Sequence, residues 1–383
     1  MFKHIFYYSA LFFLIFFSNA QAQNANSVNN DDKSSFKPSG KVWGYVFGDY
    51  FLKVHADELN RGNMQYSNLP KDFNAFAFRR IYLGYDYQIT QKISTQLLLA
   101  NENDNADLIG ERTVYIKAAN LRWKDIIPHN DLVIGQTATP IYALLSERIW
   151  GYRSIEKTVT DMRKLNSSND LGILWQGKGN EKDTWGYNLM LANGTAQRPE
   201  NDKYKKFYGE LYTKLFDQKL ILDVTADYEV SSASKSISGI RGFIGYESSS
   251  LNGGIEVYSR VMKDAAKDTL NGVPNTKVSD ITPFAFSVFI RGQIIGSKLG
   301  YFARFDNYNP DRNFDINAEY LTTIPSYKEN FITAGLDWSP VNNVHFMPNI
   351  WYNAYNSMLN NVSGNVKHDY DLTARMTFYY IFR

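Results

Sequence analysis

From Tyr370 to the end of the chain, apolar and polar side chains alternate. Tyr370, Leu372, Ala374, Met376, Phe378, Tyr380 and Phe382 fall on one face of an extended strand, and Asp371, Thr373, Arg375 and Thr377 on the other. A period of two is the period of a strand. The same split recurs over 219–229, where Leu220, Leu222, Val224, Ala226 and Tyr228 oppose Asp223, Thr225, Asp227 and Glu229. It recurs again over 328–339, where Ile332, Ala334, Leu336 and Trp338 oppose Glu329, Thr333 and Asp337. The first strand, 41–54, is ambiguous: Asp49 and Lys53 share a face with Trp43, Tyr45 and Phe47, and the other face is glycine-rich.

Alternation and turn punctuation mark sixteen strands: 41–54, 75–89, 92–101, 112–124, 131–138, 169–177, 184–194, 206–217, 219–229, 239–248, 251–262, 282–293, 295–308, 328–339, 343–355 and 367–382. Their connections sort by parity. One set is long (55–74, 102–111, 139–168, 195–205, 230–238, 263–281, 309–327, 356–366), and most of the other set is tight, as at Asp217-Gln218 and Gly292-Gln293. Short turns at one end and long loops at the other, with an even strand count, are the signature of an outer-membrane barrel. A soluble sandwich has no reason to segregate its loops in this way.

The physics behind the pattern is solvation. Hydrocarbon satisfies no backbone N–H or C=O group, so a spanning sheet must close on itself. One strand face then meets lipid and the other a polar lumen, which in a sixteen-stranded barrel is wide enough for an aqueous channel. The fold class expected is an all-β, sixteen-stranded antiparallel transmembrane barrel over 41–383. If the short turns face the periplasm, Trp43, Trp123, Trp175, Trp185 and Trp338 all sit at that rim, five of seven tryptophans. This is the distribution of an interfacial aromatic girdle.

Composition adds the route and removes some chemistry. Residues 1–22 combine Lys3, an apolar core from Ala10 to Phe17 and a small-residue site at Ala20-Gln21-Ala22, which reads as a secretory signal. The apolar core is shorter than the roughly 20 residues that span a bilayer. Residues 23–40 are polar and unpatterned, a disordered lead too short for a plug domain. Without cysteine there is no disulfide framework, and a formal net charge of +2 gives no basic excess for nucleic acid. Aromatic residues make up 15% of the chain; a soluble domain would keep most of them in a core with continuous apolar segments, whereas here the apolar residues mostly alternate with polar ones.

Candidate functional residues concentrate in the longest connection, 139–168. Thr139-Pro140 has the form of a helix start. From Arg153 onward the spacing predicts an amphipathic helix, with Ile155, Val159 and Met162 on one stripe and Arg153, Lys157 and Lys164 on another. Folded into the barrel as its third outer loop, this segment would narrow the pore. The constriction candidates are Glu147, Arg148, Arg153, Glu156, Lys157, Asp161, Arg163 and Lys164, with a net excess of basic charge. Basic rings favour anions. The competing reading is a surface helix capping the mouth.

Inward wall candidates carry both signs: Arg80, Lys214, Arg241, Arg260, Arg291, Arg304 and Arg375 against Glu210, Asp223, Asp227, Glu229, Glu247, Glu256 and Asp337. Such a mixture implies at most a mild anion preference. Asp311, Asn313 and Asp315 have oxygen-ligand spacing for calcium, but the turn glycine and the distal glutamate of a calcium loop are missing. Neither paired histidines nor a nucleophile motif occurs, so no catalytic residue and no cofactor is expected.

Several stretches resemble the phosphate-selective porin family of Gram-negative outer membranes: FAFRRIYLGYDY (76–87), VYIKAANLRW followed by LVIGQTATP (114–140), ARFDNYNPD (303–311) and GLDWSPVNN (335–343). The resemblance implies a trimeric diffusion channel with an infolded third outer loop. Arg148, Arg153 and Lys157 stand where that family has dense constriction arginines, diluted here by Glu147, Glu156 and Asp161. The family's terminal aromatic is displaced, since Phe382 is penultimate and Arg383 closes the chain.

The expectation is an outer-membrane porin that passes small hydrophilic or anionic solutes. The alternative is a sealed barrel acting as a receptor, structural or docking protein.

Overall fold

Strand β1 (Ser39–His55) hydrogen-bonds on one edge to β2 (Asn74–Gln88) and on the other to the last strand, β18 (Asp369–Phe382), so the sheet closes on itself. The structure is a computed structural model. It describes residues 36–102, 112–230, 235–270, 273–320, 322, 325–359 and 368–383, with backbone only over 268–277. The signal expected over 1–22 and most of the lead expected over 23–40 lie outside the described residues.

The ring runs antiparallel from β2 through β3 (Ile93–Glu102), β4 (Tyr115–Ile127), β5 (Asn130–Ala138), β6 (Asn169–Lys178), β7 (Trp185–Ala192), β8 (Lys206–Leu215), β9 (Leu220–Val230), β10 (Ser236–Glu247) and β11 (Leu251–Leu270). It continues through β13 (Phe284–Ile295), β14 (Leu299–Asn309), β16 (Tyr327–Val341) and β17 (Val344–Ser357) to β18. These are the sixteen expected wall strands. Two further strands, β12 (Val273–Ile281) and β15 (Glu319–Tyr320), pair with an extension of β11 beyond its expected end at 262. Alternation could not reveal this extension, because above the bilayer no lipid face enforces it.

Burial follows the predicted alternation. In β18, Asp371, Thr373, Arg375 and Thr377 are buried, whereas Ala374, Met376, Tyr380 and Phe382 are exposed. In β9, Asp223, Thr225 and Asp227 are buried between the exposed Val224, Ala226 and Tyr228. Polar residues buried in the ring and apolar ones exposed outside it invert the soluble-protein rule, as a lipid-facing wall requires. β1 resolves in the same sense: Asp49 and Lys53 point inward together with Tyr45, Phe47 and Phe51, while Tyr50, Leu52 and Val54 point out.

One part of the tryptophan expectation is corrected. Trp123, Trp185 and Trp338 are exposed on the outer surface at the short-turn rim. Trp43 instead faces the lumen, where its indole N–H donates to the inward-facing Asp86 at 2.8 Å. Its strand carries an inward aromatic row, which the rim argument did not separate from an outward girdle.

Candidate functional site in the lumen

The third outer loop (139–168) is held by side chains from the inner wall on several sides of the ring. Arg79 on β2 donates to the carbonyl of Ile155 at 3.0 Å and to that of Ser154. Arg260 on β11 reaches Leu165 O at 2.9 Å, Arg291 on β13 reaches Ile149 O at 2.8 Å, and Arg304 on β14 reaches Lys157 O. Thr160 donates to Glu256 on β11 at 2.6 Å, and Tyr152 to Asp337 on β16 at 3.0 Å. Only a segment within the ring reaches all of these strands.

The apolar side of the loop is equally committed. Ile141, Tyr142, Val159 and Leu165 pack with Val133, Leu174, Tyr208 and Tyr258 of the wall. Leu145, Ile149, Trp150 and Ile155 pack with Ile221, Phe243, Phe289 and Phe302. Ile155, Val159 and Met162, the predicted stripe, are all buried.

The single amphipathic helix expected from Arg153 does not form. Two short helices, α1 (Ser146–Trp150) and α2 (Val159–Met162), flank a non-helical stretch, and Thr139-Pro140 starts neither. α1 stops at Gly151, whose φ of 67° is the left-handed cap conformation. The physical reason is competition: wall guanidiniums take carbonyls of 149–157 that a helix would have paired internally.

Two bulges turn additional cations inward. Pairing between β1 and β2 slips between Phe47 and Gly48, so that Arg79 and Arg80 both point inward and are buried. Pairing between β3 and β4 slips between Leu98 and Leu99, which leaves Lys117 unpaired and likewise turned inward. Strict alternation would place Arg79 and Lys117 in lipid, at about 2–4 kcal/mol each near the midplane. A bulge adds one residue and re-aims the side chain.

The re-aimed groups meet loop 3 across a charged gap. On the wall, Glu102 of β3 lies 2.9 Å from Lys117 Nζ and 3.4 Å from Arg80, and Tyr82 donates to it. On the loop, Arg153 lies 2.5 Å from Glu147 and 2.9 Å from Asp161. Lys157 spans the two sides, 4.0 Å from Glu102. Four cations thus face three carboxylates. Burial raises the Glu147 pKa above the usual carboxylate range despite Arg153 beside it. Burial also opposes ionisation of Asp161, but Arg153, Lys157 and Lys117 outweigh it and its pKa is lowered.

The other constriction candidates disperse. Arg148 pairs with Glu247 at 3.0 Å, Arg163 with Glu329 at 2.5 Å on the far wall, and Glu156 accepts from the Trp351 indole at 3.2 Å. Lys164 is exposed at a φ of 53°, so the predicted Arg153/Lys157/Lys164 stripe is broken by the loss of the helix that would have aligned it.

The wall residues are inward but occupied. Arg241 sits between Asp223 at 2.8 Å and Glu256 at 3.1 Å, Arg304 against Asp306 at 2.5 Å, and Arg375 donates to Asn349 at 2.6 Å. Lys214 pairs with Asp183 at 2.6 Å near a short turn. Lys206 approaches Asp227 at 3.4 Å and Glu229 at 3.5 Å, and Glu210 accepts from Asn188.

The first outer loop (56–73) also enters the ring. Its Tyr66, fully buried, donates to Asp49 and packs against Phe51 and Trp351. Lys53, fully buried beneath it, donates to Tyr66 O and lies 2.5 Å from Asp371. No sequence signal marked this loop, since its only large buried aromatic sits among ordinary turn residues.

Two large polar cavities lie beside loop 3. One of 650 Å³ is lined by β1–β6 and the loop, with Lys41, Lys117, Arg122 and Arg153 against Asp86 and Glu147. The other, of 730 Å³, lies toward the short turns, with five basic and five acidic side chains. They share Arg122, Leu144 and Gln176.

The calcium spacing has another use. Asp311 caps a loop, accepting from Thr282 N at 2.9 Å and Asn313 N at 3.0 Å, and Asp315 accepts from Asn317 N at 2.9 Å. Among the described residues no group of three or more His, Asp or Glu side chains is placed to hold a metal ion.

No protein-family model matches the chain, and no curated protein sequence matches it. Solved structures do. The outer-membrane channel DcaP of Acinetobacter baumannii superposes with a TM-score of 0.66 at 11% identity, covering 92% of this chain and 99% of that one. The fold is that of the outer-membrane porins. An anion-selective porin from Comamonas acidovorans gives 0.58 at 9% identity over 90% of this chain and 100% of its own. OmpT of Vibrio cholerae, outer-membrane expressed, gives 0.57 at 10% identity over 91% and 99%.

Proposed function

We propose that the chain is a porin of a Gram-negative outer membrane, passing small hydrophilic solutes by diffusion along one side of its lumen. The observation that carries this reading is the pair of polar cavities, 650 and 730 Å³, that adjoin along the β1–β9 side of loop 3. Loop 3 with Arg80, Glu102 and Lys117 forms the filter, with Glu147, Arg153, Lys157 and Asp161 on its loop side. The four-to-three balance of charge supports a slight anion preference. The finer expectation of phosphate selectivity draws on arginines, most of which here bind loop carbonyls or carboxylates, so we assign no preference for phosphate over other small anions. A homotrimer is proposed by analogy with OmpT of Vibrio cholerae, for which a trimer form is described, and mass measurement in detergent tests it.

Purified barrel in a planar bilayer should give open-channel steps, with a reversal potential in a salt gradient of anionic sign. The alternative, a sealed receptor or docking barrel, draws on the dry packing of both infolded loops. Silence across preparations with heat-modifiable gel migration would favour it.

A further inference from the structure

The lumen face of β1 does not suit a merely polar conduit. Trp43, Tyr45 and Phe47 point inward in succession, with ring centroids 6.4 and 6.2 Å apart and planes within 20° and 6° of parallel. Neighbouring strands extend the strip: Tyr82 of β2 lies 4.7 Å from Tyr45, and Tyr379 of β18 meets Phe47 edge-on at 5.9 Å. The strip is layered. Phe47 and Tyr82 are buried, covered by Arg79 at 5.1 Å and Lys117 at 5.6 Å. Trp43, Tyr45 and Tyr379 are only half-buried. Tyr45 lines both the 650 Å³ cavity and an adjoining one of 300 Å³, where Tyr379 joins it.

The polar groups around the same cavity are of a particular kind. The amides of Gln96, Asn120 and Gln176 line it. Asp86 holds Trp43 and Gln96 in place, at 2.8 and 3.0 Å. Three of its cations already face carboxylates: Lys117 with Glu102, Arg122 with Asp131 at 2.7 Å, and Arg153 with Glu147. A free anion would have to compete with those pairs, whereas a neutral polyol need not.

Resting on the channel reading, we infer that this strip is a sugar-binding platform, and that a neutral mono- or disaccharide stacks on Trp43, Tyr45 and Tyr379 on its way to the filter. A pyranose presents an apolar C–H face, which packs on the electron-rich face of an aromatic ring, and a rim of hydroxyls, which amides and carboxylates bind. The cavity has the volume of an ordinary small-ligand site.

The test is sugar block of ion current in a planar bilayer, with maltose as the probe. Saturable block is expected in the wild type. The half-blocking concentration should rise at least tenfold in Tyr45→Ala and in Tyr379→Leu. It should stay put in Tyr45→Phe, which keeps the ring, and in Trp185→Ala, which removes an outward tryptophan. Heat-modifiable migration identifies any variant that fails to fold, and the two ring-removing variants stand in for one another. Channel steps without maltose block, or block unchanged by both ring removals, overturn the platform and leave the channel standing. Block by phosphate but not by maltose also overturns it. If no current flows, the channel reading itself has failed, and maltose quenching of tryptophan fluorescence that Trp43→Ala abolishes would uphold the site alone; no quenching would overturn both.

Discussion

The two sides of the lumen are built from the same alternating strands and differ in how much of the inward face the loops cover. Along β9–β18, loops 1 and 3 are packed against the wall in dry clusters around Phe331, Trp351, Phe289 and Phe302. Along β2–β8, loop 3 also packs on Val133, Leu174 and Tyr208, but beside that contact the wall faces two cavities with many charged and amide side chains. The cations differ accordingly. In the packed side, Arg241, Arg260, Arg291, Arg304 and Arg375 hold loop carbonyls, carboxylates or amides in fixed geometry. On the open side, lysines 41, 117, 124, 178 and 214 line the cavities, together with the paired Arg122, Arg148 and Arg153. A guanidinium offers five donors in a rigid fork and so suits a clamp, whereas an ammonium is a compact, strongly hydrated charge. The comparison shows that a charged inward face does not by itself make a conducting surface; what the loops claim of it decides.

The strongest way to break the packed side is to strand a buried charge. Asp371→Asn leaves Lys53 buried without its carboxylate and should cost about 3–5 kcal/mol in urea unfolding from bilayers. Lys53→Met with Asp371→Leu should recover only part of that loss: the stranded charge is gone, but Asp57 N and Tyr355 OH lose their acceptor and Tyr66 O its donor. Next, Arg291→Ala with Arg304→Ala removes two charge-assisted bonds to loop 3, about 1.5–3 kcal/mol each. Single-channel current should become larger and noisier, and unchanged current would mean that the loop is held by its apolar clusters alone.

The open side is sharpened by smaller changes. Lys117→Glu should shift the reversal potential toward cations, while Lys164→Glu, exposed and away from the gap, should leave it unmoved. The smallest effect is one of pH. Burial raises the Glu147 carboxyl despite Arg153, so on acidification it gains its proton above the ordinary carboxylate pKa of about 4.3. Arg153 then keeps Asp161 alone, and anion preference should grow as pH falls. Glu147→Gln should hold the high value at every pH.

The wall was legible in the sequence because lipid enforces it: Tyr370–Phe382 shows its register in any reading. The site was legible only in part. Arg153, Lys157, Glu147 and Asp161 lie in the gap where the long loop suggested them. Arg79 and Lys117 were hidden, since each bulge adds one residue that a strict period of two assigns to lipid. A charge on the wrong face of an otherwise apolar strand was the available signal. The loop helix failed because its competitors, arginines 79, 291 and 304, lie tens to hundreds of residues away in the chain. Tyr66 left no trace, because its partners Asp49, Trp351 and Arg375 converge on it only after the barrel closes.

The chain has no cysteine, so single cysteines report cleanly on where water runs. A charged methanethiosulfonate reagent applied during recording should change the current at once through Asn120→Cys or Gln96→Cys, on the open side. It should do nothing through Thr333→Cys or Asn353→Cys, on the packed side. Equal modification of both sides, or modification confined to Thr333→Cys and Asn353→Cys, would contradict the one-sided path.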